Sequence, residues 1–255
     1  MDNQKGISKD VRSLLRMIDE ADKMNIEYFY LQSLSRSYHL INEPGEIIEY
    51  LHNRDISYDD NNFLLNYSGY NYKHINAVLR GTWNYEENGN IENMPVYREN
   101  ARRLSELIMN NPSELDDDII AYRGVDIGYF KQYGIETLED LQMLDGQMLH
   151  DRGFVSTSLL EEKCFFGMDN ELGLNYNIKM EYMIPCEFRD GIFLGENMSY
   201  SPNQQEFVIN SGNISKVCGV SIDKENNTAT IRTVLIPKEI YDDYYRTRSI
   251  TTSTI

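Results

Sequence analysis

Apolar residues recur along this chain at two different periods, and the change from one to the other falls near residue 119. Before it they return every three or four positions, the spacing that gathers side chains on one face of a helix. Val11, Leu14, Leu15 and Ile18 form one such stripe, with Asp10, Asp19 and Glu20 outside it. Leu31 with Leu34, and then Ile47, Ile48 and Leu51, mark two short helices separated by the Glu43-Pro44-Gly45 break. A further helix is predicted over 72–79. The clearest one runs over 97–109, where Leu104, Leu107 and Ile108 make the buried stripe and Asn110-Asn111-Pro112 stops it.

After residue 119 the runs shorten. Apolar or alternating segments at 119–122, 154–157, 178–184, 191–194, 206–209, 216–222 and 228–236 are each bounded by Gly, Asn, Asp or Pro, and read as strands. In the last of them Ala229, Ile231, Thr233 and Leu235 alternate with Thr228, Thr230, Arg232 and Val234, and residues 223–227 supply a hairpin turn before it. No interval repeats, which excludes a solenoid. Helices first and strands second predict an α+β fold in one unit over 1–248. Within it, 1–66 is a helical region, 67–248 the core, and the Ser/Thr-rich 249–255 a flexible tail.

Composition narrows the function. Hydrophobic residues make up 41% of the 255, enough for a continuous core, so a wholly disordered chain is excluded. Lys and Arg number 24 against 41 Asp and Glu, and the net charge of −17 repels polyphosphates and anionic membranes. No apolar run approaches a membrane span, and residues 1–9 lack the basic-then-apolar pattern of a secretory signal. Cys164, Cys186 and Cys218 are odd in number and contain no Cys-x-x-Cys. His39, His52, His74 and His150 are scattered, so neither a disulfide framework nor a metal site is expected.

Three segments of the strand-rich half carry candidate chemistry. Tyr122-Arg123-Gly124 closes a strand with a guanidinium fork that suits a phosphate, beside a glycine that lets a ligand approach the backbone. Gly153-Phe154-Val155-Ser156-Thr157-Ser158 ends in hydroxyls able to orient a neighbouring carboxylate or amide; no His and Asp arrangement marks them as nucleophiles. Ser201-Pro202-Asn203-Gln204-Gln205-Glu206-Phe207-Val208-Ile209 leads from a polar turn into a strand, and the period of two places Gln204 and Glu206 on one strand face.

Read singly, these are a surface arginine, a strand end and an edge strand. Read together, in this order and at these separations, they resemble the mono-ADP-ribosyltransferases of the Arg–Ser–Glu class, bacterial toxins and exoenzymes that modify actin or Rho GTPases. Tyr67-Ser68, the helix from Tyr72 to Gly81, and Gly146 with the run into Gly153-Phe154 extend the likeness over residues 67–237. The resemblance implies two packed, mostly antiparallel sheets forming an NAD cleft, and no metal. It implies that NAD is cleaved at the nicotinamide–ribose bond through an oxocarbenium-like transition state, which a carboxylate stabilises. Glu206 matches the catalytic glutamate, Ser156 the serine that orients it, and Arg123 with Gly124 the segment that grips the phosphates. Asn76 and Arg80, four apart on one helix face, match the residues that hold the adenylate half. Phe165 or Phe166 matches the ring that packs on the nicotinamide. The loop over 159–173 holds Lys163 where many relatives have an arginine, and Tyr200 precedes Gln204 as a candidate acceptor contact.

The acceptor is argued from chemistry. An arginine acceptor needs a base to remove its proton, and Gln204, two residues before Glu206, cannot be one. An amide pairs with an amide, so an Asn or Gln side chain of a host protein such as a Rho-type small GTPase is expected. Gln-x-Glu relatives that modify guanine exist, but the charge of −17 weighs against nucleic acid. Two further readings stay open at the level of sequence, an NAD glycohydrolase without a macromolecular acceptor and a non-enzymatic acidic binding module. The expected protein is a monomer, secreted or delivered to act in a target cell's cytosol.

Overall fold

The computed structural model of the protein describes residues 20–53, 55–164, 176–195 and 198–240. The predicted helix over 11–18 and the tail at 249–255 lie outside them. Four helices of nine residues or more are described: α1 Glu20–Leu34, α2 Tyr58–Asn66, α3 Tyr72–Arg80 and α4 Met94–Asn110. Ser57 caps α2 by accepting from the Asp60 N–H, and Gly81 ends α3 in the left-handed region at φ 71°. A π-helical turn, Tyr67–Asn71, joins α2 to α3. In α4 the predicted stripe is buried: Leu104, Leu107 and Ile108, with Ala101.

The helix at Leu31 and Leu34 exists, but its inner face is another. Ile26, Phe29 and Tyr30 are buried on the sheet, while Leu31 and Leu34 are exposed. Both sets satisfy a helical period, and the chain buries the one carrying two rings. The helix expected at 47–51 shrinks to the single turn Ile47–Tyr50, because Leu51 opens a strand.

The strands are β1 Leu51–His52, β2 Glu114–Leu115, β3 Ile119–Val125, β4 Met148–Asp151, β5 Val155–Ser158, β6 Ile178–Ile184, β7 Gly191–Leu194, β8 Glu206–Ile209, β9 Asn213–Asp223 and β10 Thr228–Ile236. β1 and β2 pair with each other; the rest form one sheet in the order β4-β9-β10-β6-β3-β5-β8-β7. Among the paired strands of the described residues, only β10 and β6 run parallel. The two-sheet arrangement takes the form of a five-stranded and a three-stranded portion, joined between β3 and β5 by the one register pair Tyr122↔Ser158. Beyond it the two strands diverge, so that Arg123-Gly124-Val125 and Thr157-Ser156 face each other across a gap.

The two sides of the sheet are packed separately. Phe207 and Ile209 of β8 and Val155 of β5 join the large core. Val208 and Phe154 pack with Leu64, Tyr67, Ile75 and Leu104 under the helices. By the alternation of a strand, Glu206 and Ser156 therefore point to the helical side.

Candidate active site

The gap between β3 and β5 opens into a cleft of about 490 Å³, bounded by α3 and the π-helical turn. Arg123, Gly124, Ser156, Gln204, Glu206 and Asn76 line it, so six residues singled out from the sequence converge although they span 131 positions. Phe165 and Phe166 lie outside the described residues. Arg80 does not line the cleft.

Glu206 opens β8 with only 7% of its surface exposed. Burial in this low-dielectric setting pushes its carboxyl up to about 7, against the opposing pull of a hydrogen bond from the Ser156 side chain and of the Arg123 charge. Tyr67, fully buried on the π-helical turn, brings its hydroxyl to 3.5 Å from the Ser156 Oγ. Serine, glutamate and tyrosine thus form a chain in which Ser156 is held from both sides. Opposite Glu206 on the ladder, the Ser158 hydroxyl lies 2.7 Å from the carbonyls of both Gln204 and Leu160, pinning the turn before β8 to the end of β5.

Arg123 reaches the cleft from the end of β3, its guanidinium 5.4 Å from the centroid of the Tyr129 ring. Its Nη1 is buried and has no hydrogen-bond partner among the described residues. A buried, unpaired guanidinium donor is costly unless an anion meets it. A phosphate oxygen is such an anion. With a carboxylate and a hydroxyl a short way along the same cleft, the residues present fit NAD.

Asn76 and Arg80 share a face of α3 as expected, but that face is turned on the segment leading into β5. The Asn76 Oδ1 accepts from the Phe154 N–H at 2.8 Å. Arg80 donates to both oxygens of Asp151, at 3.0 Å each, and to the Phe154 carbonyl at 3.2 Å. Gly153 is required here: a Cβ would stand 2.6 Å from the Asn76 Oδ1 and 2.8 Å from the Arg80 Cζ. Sequence reasoning missed Asp151 and Tyr129, whose hydroxyl donates to it at 2.8 Å.

Gln204 and Glu206 do not share a strand face. Gln204 ends a 3-10 turn, Pro202–Gln204, and Gln205 lies in the left-handed region at φ 48°, ψ 57°. This twist breaks the period of two and brings both side chains to the cleft by separate routes. Tyr200, 63% exposed, meets Tyr70 edge-on at 6.1 Å on the rim. Its ring lies over Gly69, and its N–H donates to the Ser68 Oγ at 2.6 Å.

A family profile described as ADP-ribosyltransferase exoenzyme matches residues 11–238. No curated protein matches the chain. Among solved structures, C3stau2 from S. aureus with NAD is similar at a TM-score of 0.59 and 20% identity, over 80% of this chain and 100% of that one. The C3 exoenzyme of Clostridium limosum matches at 0.58 and 17%, over 79% and 98%. The Vis toxin of Vibrio splendidus matches at 0.52 and 16%, over 94% and 92%. At these identities the likeness shows a common fold.

Proposed function

The chain belongs to the ADP-ribosyltransferase exoenzyme family and is accordingly an NAD-dependent mono-ADP-ribosyltransferase; we propose that it transfers ADP-ribose to an Asn or Gln side chain of a protein, with a Rho-type small GTPase as the acceptor class. The observation that carries this reading is one cleft holding a buried carboxylate braced by a serine, an unpaired guanidinium donor and, at its rim, an amide. When bound, NAD supplies a glycosidic bond whose cleavage leaves positive charge on the ribose.

Each residue then has a defined task. Arg123 and the Gly124 backbone hold the phosphates, and Arg123 does so with a donor that is already desolvated. Ionised Glu206 accepts from a ribose hydroxyl and faces the developing charge. At a carboxylate only 7% exposed this interaction gains strength, because the groups around it are already in place at the moment of reaction. Ser156 fixes the orientation of the carboxylate. Gln204, a neutral donor and acceptor, holds a neutral amide; it offers no base to an arginine. Tyr200 and Tyr70 present rigid amphipathic rings to the protein around that amide. Delivery into the cytosol of a target cell, where such acceptors reside, completes the proposal.

NAD labelled in its adenylate half, incubated with the protein and a target-cell lysate, tests it. A discrete labelled band whose modified residue maps by mass spectrometry to Asn or Gln is expected. Free ADP-ribose without any labelled protein would identify a glycohydrolase instead, and a modified arginine would overturn the role given to Gln204.

A further inference from the structure

We propose that Asp151 is a positioning residue for NAD binding, acting through Tyr129 on Arg123 and tying the two portions of the sheet together behind the cleft. The inference rests on the functional reading above and deepens it. It begins from the saturation of this one carboxylate.

Asp151 is 4% exposed and accepts four hydrogen bonds. Its Oδ1 takes the Arg80 Nε at 3.0 Å and the Gly153 N–H at 2.9 Å. Its Oδ2 takes the Arg80 Nη2 at 3.0 Å and the Tyr129 hydroxyl at 2.8 Å. Nothing remains to accept from a ligand, and it does not line the cleft. A buried, fully satisfied carboxylate of this kind fixes geometry.

The partners of Asp151 are informative. Asp151 itself ends β4, the outer strand of the five-stranded portion. Arg80 ends α3, one wall of the cleft, and Gly153 begins the approach to β5 in the three-stranded portion. Between the two portions the strands supply one register pair, Tyr122↔Ser158. The Gly153 bond is local, two residues along the chain, but Arg80 also donates to the Phe154 carbonyl, so that Asp151 and Arg80 together make a second tie, placed where the sheet itself has opened. Tyr129 follows β3 on a 3-10 turn, Ile127–Tyr133, and its ring lies against the Arg123 guanidinium. Held by Asp151 at its hydroxyl, the ring is a fixed plate that limits where Arg123 can point. Arg80, with two of its donors committed to the same carboxylate and a third bond to the Phe154 carbonyl, belongs to this bracket.

A double-mutant cycle read by calorimetric NAD titration tests the proposal. Asp151→Asn keeps the shape and loses the charge, and should weaken NAD binding about tenfold, within the range of coupled neighbours. In an Arg123→Lys background the same change should cost less than about twofold, because the fork being positioned is gone. A merely structural role predicts equal losses in the two backgrounds, and that result would overturn the proposal. Tyr129→Phe, which deletes only the hydroxyl facing Asp151, runs the same cycle if Asp151→Asn does not fold, with the same two outcomes. Wild-type protein that fails to bind NAD at all would overturn the functional reading as well, so the two failures are distinguishable.

Discussion

On the wall of the cleft that carries Ser156 and Glu206, the backbone is laddered: β5 and β8 pair through four register positions, and the Glu206 carboxylate is buried at the first of the β8 residues. On the neighbouring rim, residues 200–205 form a turn held by a few local bonds, with Tyr200 largely exposed and Gln205 in the left-handed region. The first region accepts burial of an ionisable group in order to sharpen its chemistry. The second keeps its polar groups near solvent, where a protein can reach them. In the reading proposed above, reaction chemistry rests on the ladder and acceptor choice on the turn.

The sharpest way to separate the two is Glu206→Gln. Losing the charge that faces the ribose should lower both NAD hydrolysis and transfer on the order of a hundred- to a thousand-fold, measured as nicotinamide release and labelled acceptor. The same variant should be the more stable protein above neutral pH. With its carboxyl pushed up from 4.5 to about 7, folded wild type retains a proton that the unfolded chain releases in that window. Wild-type stability therefore falls as pH rises from 4.5 to 7, by roughly 3 kcal/mol. Glu206→Gln escapes that loss, and denaturant titrations of the two proteins at pH 8 show it or refute it.

Acid should act on the ladder side alone. Below about 7 the free enzyme holds Glu206 protonated, and kcat/KM for NAD hydrolysis should drop about tenfold per pH unit. A profile flat between pH 5 and 8 would place the ionisation elsewhere. On the turn side, Gln204→Ala should reduce transfer to the protein by about tenfold or more while hydrolysis stays within about twofold, the effect of removing one partner of a polar contact. If hydrolysis collapsed as well, Gln204 would belong with the ladder. Tyr200→Ala is the smallest change: a few-fold rise in the KM for the protein acceptor, about 1 kcal/mol of ring contact, with the KM for NAD unmoved.

What could be read in advance followed from periodicity. The strands at 178–184, 191–194, 206–209 and 228–236 appear with the bounds that their apolar or alternating runs and the turn residues beside them imply. β4 was invisible because its inward positions are Leu149 and Asp151, and a buried aspartate reads as polar in any apolar pattern. The bracket around that aspartate was equally hidden, since Arg80 lies 71 positions from it and no local spacing links them. The cleft residues Arg123, Ser156, Gln204 and Glu206 were legible through resemblance. The helical spacing of Asn76 and Arg80 told the face they share and left open what that face meets. Strand period also failed at Gln204, where a single left-handed residue undoes the count.

That residue, Gln205, has a consequence for descent as much as for catalysis. Because the chain reverses its hand between Gln204 and Glu206, side chains upstream can be exchanged without shifting the register of β8. Under the reading proposed above, a lineage built this way would keep its cutting edge while the handle beside it is refitted for new acceptors. Variation that changes the acceptor should accumulate on one side of position 205 and stop at the other.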